Sequence, residues 1–196
     1  EDDENPGRRE MQELVLGNHD VVCGSAASGT TPFVIAALLE ARQRGAHTVL
    51  ITCSAVSGTY GRPVADRIVH LDTGPELIAG STRLKAGTAQ KMALNALSTT
   101  VFVRLGKTYG GLMVDVQPTN GKLRKREARI IKLLTGVSYE KATELLRLSG
   151  WHVKKAIVMQ HKQVTPTEAM RILREHDDNL RRVIGDVDYI ANNTEV

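Results

Sequence analysis

The sequence DVVCGSAASGTTPFVIAALLEARQRGAHTVLITC (residues 20–53) joins two short apolar runs through a Gly/Ser/Thr loop and an apolar segment with helical spacing. Residues 20–25 and 47–53 predict strands, and residues 32–42 predict a helix that ends near Gly45. A strand, a helix and a second strand form a βαβ unit, whose two strands are parallel. Because apolar runs mark both strands, we expect both faces of the sheet to be covered. The stretch therefore predicts an α/β fold.

Further elements lie on either side of this unit. Residues 66–71 predict a third, shorter strand, and three strands make an incomplete sheet, since such sheets usually have about four to six. Residues 82–105 predict a long helix with apolar side chains around most of its circumference, as in a helix buried inside a domain or between subunits. Residues 1–13 are charged and lack periodicity, so we expect a loop leading into the fold or a frayed helix end.

The second part of the chain is predominantly helical. A loop-rich passage, 106–121, precedes it, and predicted helices follow at 122–134, 138–148, 151–161 and 166–176. Short helices of this kind predict a small three-helix bundle within residues 136–184, followed by a polar, frayed end at 186–196. We therefore expect two domains, 1–121 and 122–196.

Composition excludes several classes of protein. The chain has 196 residues, 41% of them hydrophobic and 24% charged, which suits a soluble globular protein, and no apolar stretch suggests a membrane span. Cys23 and Cys53 have no Cys or His neighbour at ligand spacing, so we expect reduced, buried thiols, no metal site and a cytoplasmic location. The basic run at 122–132 is interrupted by Glu127 and lacks interleaved aromatics. This run therefore predicts a solvated helix face rather than a nucleic-acid-binding surface. The net charge of the chain, +4, is too small to indicate nucleic-acid binding by itself.

The loop at residues 25–32 is the most informative candidate site. It leaves the carboxyl end of a strand and enters a helix, which is where open α/β sheets bind ligands. Its small residues allow close approach to the backbone, and the hydroxyls of Ser25, Ser28, Thr30 and Thr31 suit phosphate or sugar oxygens. The loop matches neither Gly-x-x-x-x-Gly-Lys-Ser/Thr nor Gly-x-Gly-x-x-Gly. A helix start capped by hydroxyls, without a ligand, remains the alternative.

A second candidate site precedes the long helix. Ser81 or Thr82 is expected to cap this helix, with Arg83 and Lys85 in its first turn. Cations there oppose the helix dipole, which favours an anion docked between them, although solvated side chains are the alternative. Glu76 either accepts hydrogen bonds from sugar hydroxyls or faces solvent.

Two stretches resemble one known family. The stretch GSTRLKAGTAQKMALNALSTTVFVRLGKTYGGLMVDV (residues 80–116) resembles the N-acetylmuramic acid 6-phosphate etherases of the sugar isomerase (SIS) superfamily. Residues 26–32 resemble the family's Ala-Ala-Ser-Gly-Arg-Thr-Pro, with Thr30 in place of arginine. The resemblance implies a three-layer αβα sandwich with a parallel sheet, followed by a small C-terminal helical bundle. It also implies cleavage of a 3-O-lactyl ether, giving N-acetylglucosamine 6-phosphate and D-lactate without a cofactor.

The resemblance further implies roles for particular residues. Glu1, in the family's Glu-Asp-x motif, becomes the candidate catalytic acid/base. The residues implied to hold the phosphorylated amino sugar are Ala27, Ser28, Gly29, Thr30, Thr31, Glu76, Ser81 and Lys85. We expect the family's N-terminal third, with a first phosphate loop and a second glutamate, to be missing.

The remaining expectations concern partners and an alternative function. The superfamily and the apolar helix at 82–105 together predict a homodimer with ligand sites near the subunit boundary. Neither nucleic acid nor membrane is expected as a partner. The alternative function is a non-catalytic sugar-phosphate-binding regulator that resembles the glucokinase regulatory protein, which would retain ligand binding while losing proton transfer.

Overall fold

The computed structural model describes residues 1–55, 63–116 and 120–186, which form a mixed α/β structure. The elements in chain order are α1 (Glu4–Glu13), β1 (Val21–Ser25), α2 (Pro32–Gln43), β2 (His47–Thr52), β3 (Arg67–His70), α3 (Lys85–Arg104), β4 (Thr108–Tyr109), β5 (Leu112–Met113), α4 (Gly121–Thr135), α5 (Tyr139–Leu148), α6 (Val153–Lys162), α7 (Pro166–Glu175) and α8 (Leu180–Ile184). The chain divides into two compact units, Glu1–Ala96 and Leu97–Val196. The division falls inside α3, whereas the domain boundary predicted after residue 121 stays a prediction.

The first unit contains a three-stranded parallel sheet in the order β1-β2-β3. The predicted βαβ unit is confirmed, because β1 and β2 are parallel neighbours and α2 joins them. α2 packs on both strands and buries Ile35 and Leu38 against Leu50. Gly24 permits this close packing, since a Cβ there would lie 2.7 Å from the Val34 side chain. The core of this unit therefore lies between α2 and the sheet.

Asp66 ties the third strand to the second. The backbone N–H and hydroxyl of Thr48 donate to Asp66 Oδ2 at 2.8 and 2.9 Å, and the Asp66 N–H donates to Thr48 Oγ1 at 3.0 Å. The hydrogen bonds from Thr48 hold the pKa of the Asp66 carboxyl below its ordinary value. This reciprocal pairing connects buried Thr48 to the residue that precedes β3.

Residues 4–13 form a complete helix, α1, where we expected a loop or a frayed helix end. Asp3 caps the helix by accepting from the Asn5 N–H at 2.9 Å, and Glu4 pairs with Arg8 one turn later. α1 packs on α2, and Gly7 marks the closest approach, since a Cβ there would lie 2.3 Å from the Phe33 carbonyl oxygen. Tertiary packing rather than local periodicity therefore stabilises α1.

The long helix α3 is shorter and more exposed than expected. It begins at Lys85, and among the residues that the structure describes Ala86 is its one buried position. Its exposed apolar side chains are Met92, Leu94, Leu97, Val101, Phe102 and Val103. Of the two predicted alternatives, burial inside a domain is not observed among the described residues, and burial between subunits stays a prediction. β3 is also exposed at Ile68 and Val69, so the expected cover on both sheet faces is incomplete.

In the second unit, helices α4 to α8 share one apolar core. Its most buried large members are Ile131, Leu146, Ile157 and Leu180. The predicted helices differ from the observed ones by one or two residues at their ends, while α8 was not predicted. The passage at 106–121 was predicted as loop-rich, and it contains the antiparallel pair β4–β5. The expected frayed end lies, from residue 187 onward, outside the described residues.

One buried side chain in this core is ionisable. Glu127 on α4 is 3% exposed, and neither carboxylate oxygen has a hydrogen-bond partner among the described residues. Burial disfavours the charged form and raises the pKa of Glu127 to about 7, against the opposing charge of Arg124. Glu127 therefore belongs to the protein interior, whereas the basic run that it interrupts predicts a solvated helix face.

Candidate functional site

The loop between β1 and α2 is fixed mainly by its backbone. The Ala26 N–H donates to the Ile51 carbonyl at 3.0 Å, and the Cys53 N–H donates to the Ala27 carbonyl at 3.0 Å. These bonds extend the pairing of β1 and β2 past the ends of both strands. Gly29 then turns the chain with φ of +71°, a conformation that glycine adopts without strain, and donates to the Ala26 carbonyl. Backbone hydrogen bonds therefore hold the loop in place, and its side chains are not needed to make them.

Ser28 holds a hydroxyl at the exposed side of this loop. Its Oγ accepts from the Thr30 N–H at 3.2 Å and from the Thr30 hydroxyl at 3.1 Å. Because both bonds use the oxygen as acceptor, the Ser28 hydrogen remains to donate to a bound oxygen atom. Thr31 is the N-cap residue of α2, but its side chain makes no capping hydrogen bond. This geometry disfavours the alternative in which the hydroxyls merely cap the helix.

Glu1 lies at the start of α2. Its backbone carbonyl accepts from the Phe33 N–H at 3.2 Å, although the two residues are far apart in sequence. The packing of α1 on α2 brings Glu1 to this position, and the residue is solvent-exposed. The structure thus brings the predicted catalytic residue to the helix that carries the predicted binding loop.

Glu76 caps α3, a role that we expected Ser81 or Thr82 to fill. Its Oε2 accepts from the Lys85 N–H and its Oε1 from the Ala86 N–H, both at 3.0 Å. These two backbone hydrogen bonds, first that from Ala86, hold the pKa of the Glu76 carboxyl below its ordinary value. A carboxylate at a helix N-terminus is also favoured by the helix dipole.

The Glu76 carboxylate places a negative charge at the start of α3, where the sequence predicts a docked anion, and the anion site itself stays a prediction. The Lys85 ammonium donates to the Pro75 carbonyl at 3.0 Å, so Lys85 supports the loop in which Glu76 lies. An external anion is therefore not needed to explain the helix start, because Glu76 already supplies the negative charge. Ser81 is half-buried in the turn that precedes α3, where its carbonyl accepts from the Leu84 N–H.

Cys53 connects the two loops. Its N–H donates to the Ala27 carbonyl, and its Sγ lies 3.7 Å from the Ala86 carbonyl oxygen as a weak donor. The loop after β1, the start of α3 and the residues after β2 therefore meet at the carboxyl ends of parallel strands, the usual position of ligand sites in open α/β sheets. Sequence reasoning treated Cys53 only as a buried thiol. Its position directly after β2 was the available signal for a place at this edge.

Metal ligands are not grouped in the described residues. Across 1–55, 63–116 and 120–186, no cluster of three or more His, Cys, Asp or Glu side chains is arranged to hold a metal ion. Cys23 and Cys53 are free and only partly buried, so the expectation that both thiols are buried is corrected. In the same ranges no helix has both the length and the apolarity required to cross a membrane.

Comparison with known proteins gives a consistent result. The chain is 47% identical over 184 residues to the N-acetylmuramic acid 6-phosphate etherase of Geobacillus thermodenitrificans, covering 94% of this chain and 62% of that protein. It is 51% identical over 177 residues to the etherase of Nostoc punctiforme, covering 88% and 57%. The chain is a homologue of these etherases. The etherase of Deinococcus radiodurans is 46% identical over 189 residues, covering 95% and 60%.

The resemblance read from residues 80–116 and 26–32 is thereby confirmed. The chain spans about three fifths of the length of the etherases that it matches. No protein-family model matches the chain. The individual site residues stay predictions, since the similarity to the etherases concerns the chain as a whole.

Proposed function

We propose that this protein is an N-acetylmuramic acid 6-phosphate etherase. The observation that carries the proposal is identity of 46–51% to the three etherases across nearly the whole chain. The arrangement of Glu1, the loop at residues 26–31 and Glu76 at one sheet edge supports it, because a phosphosugar needs both hydrogen-bond donors and an acid/base group. The proposed products are N-acetylglucosamine 6-phosphate and D-lactate, within cell-wall amino-sugar recycling.

The proposed binding step uses the loop at residues 26–31. The Ser28 hydroxyl donates to a phosphate oxygen, Thr31 supplies a further hydroxyl, and Ala27 and Gly29 allow close approach to the backbone. The Thr30 hydroxyl donates to Ser28 Oγ and so orients the Ser28 hydroxyl. The N-terminus of α2 adds the partial positive charge of its first turn, which favours a phosphate group. Ser81, Glu76 and Lys85 are proposed to contact the sugar from the side of α3.

The proposed chemistry is an elimination followed by hydration. In the open-chain sugar the C1 aldehyde acidifies the C2 proton, which Glu1 removes as general base. The C2–C3 double bond forms as the C3–O bond of the ether breaks, and lactate leaves with a proton from a general acid. Water then adds at C3 and a proton returns to C2. The elimination and the hydration each include a proton transfer at C2, so a carboxylate that can accept and return this proton suits the task.

The test measures D-lactate released from N-acetylmuramic acid 6-phosphate by the whole protein. Glu1→Gln should lower the rate by a factor of about 10² to 10⁴, the usual contribution of a general acid or base. Glu10→Gln, another exposed carboxylate at the N-terminal end of the chain, is the matched control and should retain the rate. Binding of the phosphosugar without lactate release would instead support the sugar-phosphate-binding regulator. Absence of both binding and release would reject the proposal.

The remaining assignments are also proposals. The three-layer SIS-type sandwich is supported by the parallel sheet with α2 packed on it, and the three-helix bundle by the shared core of α5, α6 and α7. The exposed apolar side chains of α3 support a homodimer, and a monomeric mass by light scattering at micromolar concentration would contradict it. The two free thiols support a cytoplasmic location.

A further inference from the structure

A cavity of about 390 Å³ lies within the second unit. One wall comes from Lys107 and from Val114–Val116, which flank the β4–β5 pair. A second wall comes from the first turn of α6, at 152–155, and a third from Met170 and Leu173 on α7. The cavity thus combines lysine ammonium groups with aliphatic side chains, a combination that suits a small amphiphilic molecule.

Lys154 places a buried ammonium group in this cavity. The residue is 8% exposed, and its Nζ donates to the Asp178 carbonyl at 3.0 Å and lies 3.3 Å from Asp115 Oδ2. Lys107 Nζ donates to the same Asp115 oxygen at 2.9 Å. Burial disfavours the charge of Asp115, but the two lysines outweigh this effect and hold its pKa below the ordinary value. Because an ammonium group has three N–H donors, the Lys154 ammonium retains one beyond these two contacts.

The start of α6 adds to the positive potential of the cavity. Its N-cap residue, His152, makes no side-chain capping bond, and the first turn contains no acidic residue. Lys154 and Lys155 occupy this turn instead, where their charges oppose the helix dipole. An anion at this position would be stabilised both by the lysines and by the N-terminal amides.

The charges around the cavity favour a monoanion. Asp115, Asp177 and Asp178 face the cavity together with three lysines, and the Asp177 carboxylate is already paired with Arg182. With Asp177 neutralised by Arg182, the three lysines and the two other aspartates give the cavity a net charge of +1. A single carboxylate neutralises this charge, whereas a doubly charged phosphate exceeds it. Leu105, Val116 and Met170 supply an apolar surface for the remainder of the ligand.

We propose that this cavity binds a small organic monocarboxylate, with the carboxylate among Lys107, Lys154 and Lys155 and its aliphatic part against Leu105, Val116 and Met170. The inference is independent of the etherase reaction, because it rests on the charges and shape of the second unit alone. The ligand class is therefore a short-chain aliphatic acid rather than a phosphorylated sugar.

The experiment titrates the chain with isovalerate and follows binding by ligand-observed NMR, with acetate and inorganic phosphate as comparison probes. We expect millimolar binding of isovalerate, with weaker binding of acetate, which lacks the branched aliphatic part, and of phosphate. Lys154→Met keeps the aliphatic stem and removes the charge, so it should weaken isovalerate binding at least tenfold. Lys141→Met, on the exposed surface of α5, is the control and should leave binding unchanged.

Thermal unfolding of each variant is measured alongside, because Lys154 is buried. Should Lys154→Met unfold, Lys107→Met and Lys155→Met carry the test, and each should weaken isovalerate binding severalfold. Tighter binding of phosphate than of isovalerate would overturn the inference. An equal loss of isovalerate affinity in the pocket variants and in Lys141→Met would also overturn it. Absence of isovalerate binding to the folded, unmutated chain would also overturn it.

Discussion

Replacement of Gly7 by alanine should separate α1 from α2 and displace Glu1. A Cβ at this position would lie 2.3 Å from the Phe33 carbonyl oxygen, whereas real Cβ contacts essentially never fall under 3.0 Å. The obstacle is backbone inside a helix, so it cannot move aside as a flexible side chain would. The two helices must therefore move apart by at least ~0.7 Å at this point.

The energetic effect has two opposing parts. Overpacking of this kind destabilises a protein by about 1–3 kcal/mol, whereas alanine stabilises a helix interior by about 0.5–1 kcal/mol relative to glycine. We expect Gly7→Ala to lower the free energy of unfolding by about 1–2 kcal/mol. The same displacement would lengthen the 3.2 Å bond from the Phe33 N–H to the Glu1 carbonyl beyond hydrogen-bonding range.

Two measurements check this expectation. Urea unfolding gives the change in stability, and amide hydrogen exchange at Phe33 reports the bond to Glu1. Gly121→Ala is the matched control, because no described residue lies within 4 Å of the methyl group added to this helical glycine, and it should be neutral or slightly stabilising. If Gly7→Ala behaves like Gly121→Ala and protection at Phe33 is unchanged, the close approach of α1 and α2 is refuted.

Three further predictions concern individual side chains. Glu127→Gln should raise the free energy of unfolding at pH 8 by up to ~3 kcal/mol and have little effect near pH 4. Because the pKa of Glu127 is raised to about 7 in the folded protein, the native state loses stability as pH rises above the ordinary glutamate pKa. Equal effects at both pH values in urea titrations would contradict this. Glu76→Gln should destabilise the protein at neutral pH, and the difference should shrink as pH falls through the lowered pKa of the Glu76 carboxyl. A difference that is absent at neutral pH would argue against the capping role. Ser28→Ala should weaken binding of N-acetylmuramic acid 6-phosphate by ~1–2 kcal/mol in calorimetry. Thr143→Ala on α5 is the control and should leave the affinity unchanged. Unaltered affinity of the Ser28→Ala protein would mean that the loop has no part in binding.

The β1–α2–β2 unit was predictable because its signals are local. Apolar runs, helical spacing and Gly45 all lie within the segment that they describe, and parallel pairing follows from the helical crossover between the two strands. α1 was not predictable in the same way. Its sequence is polar, and the helix depends on the Asp3 cap and on contact between Gly7 and Phe33, which lies in another helix.

The candidate site was predictable at the level of loops but not of side-chain roles. The position of the loop at residues 26–31 follows from its place between a strand and a helix. That Glu76 caps α3 depends on the path of the chain through the nine residues between Glu76 and the Ala86 amide, which periodicity does not describe. The position of Glu1 depends likewise on packing between α1 and α2.

For α3, the apolar pattern left two alternatives open, burial inside a domain or between subunits. Apolar residues around a helix predict that its surface is covered, but they do not indicate whether the covering surface belongs to the same chain. The described residues leave Met92 67% exposed, so the pattern alone cannot assign the covering surface.

The backbone bonds that fix the loop after β1 have a consequence for divergence among related proteins. Ala26, Ala27 and Gly29 position the loop through main-chain hydrogen bonds that do not involve the side chains of Ser28 or Thr30. In the proposed binding role of this loop, single substitutions at Ser28 or Thr30 would therefore change ligand preference while these main-chain bonds are kept. Libraries randomised at these two positions alone should consequently yield folded proteins at high frequency.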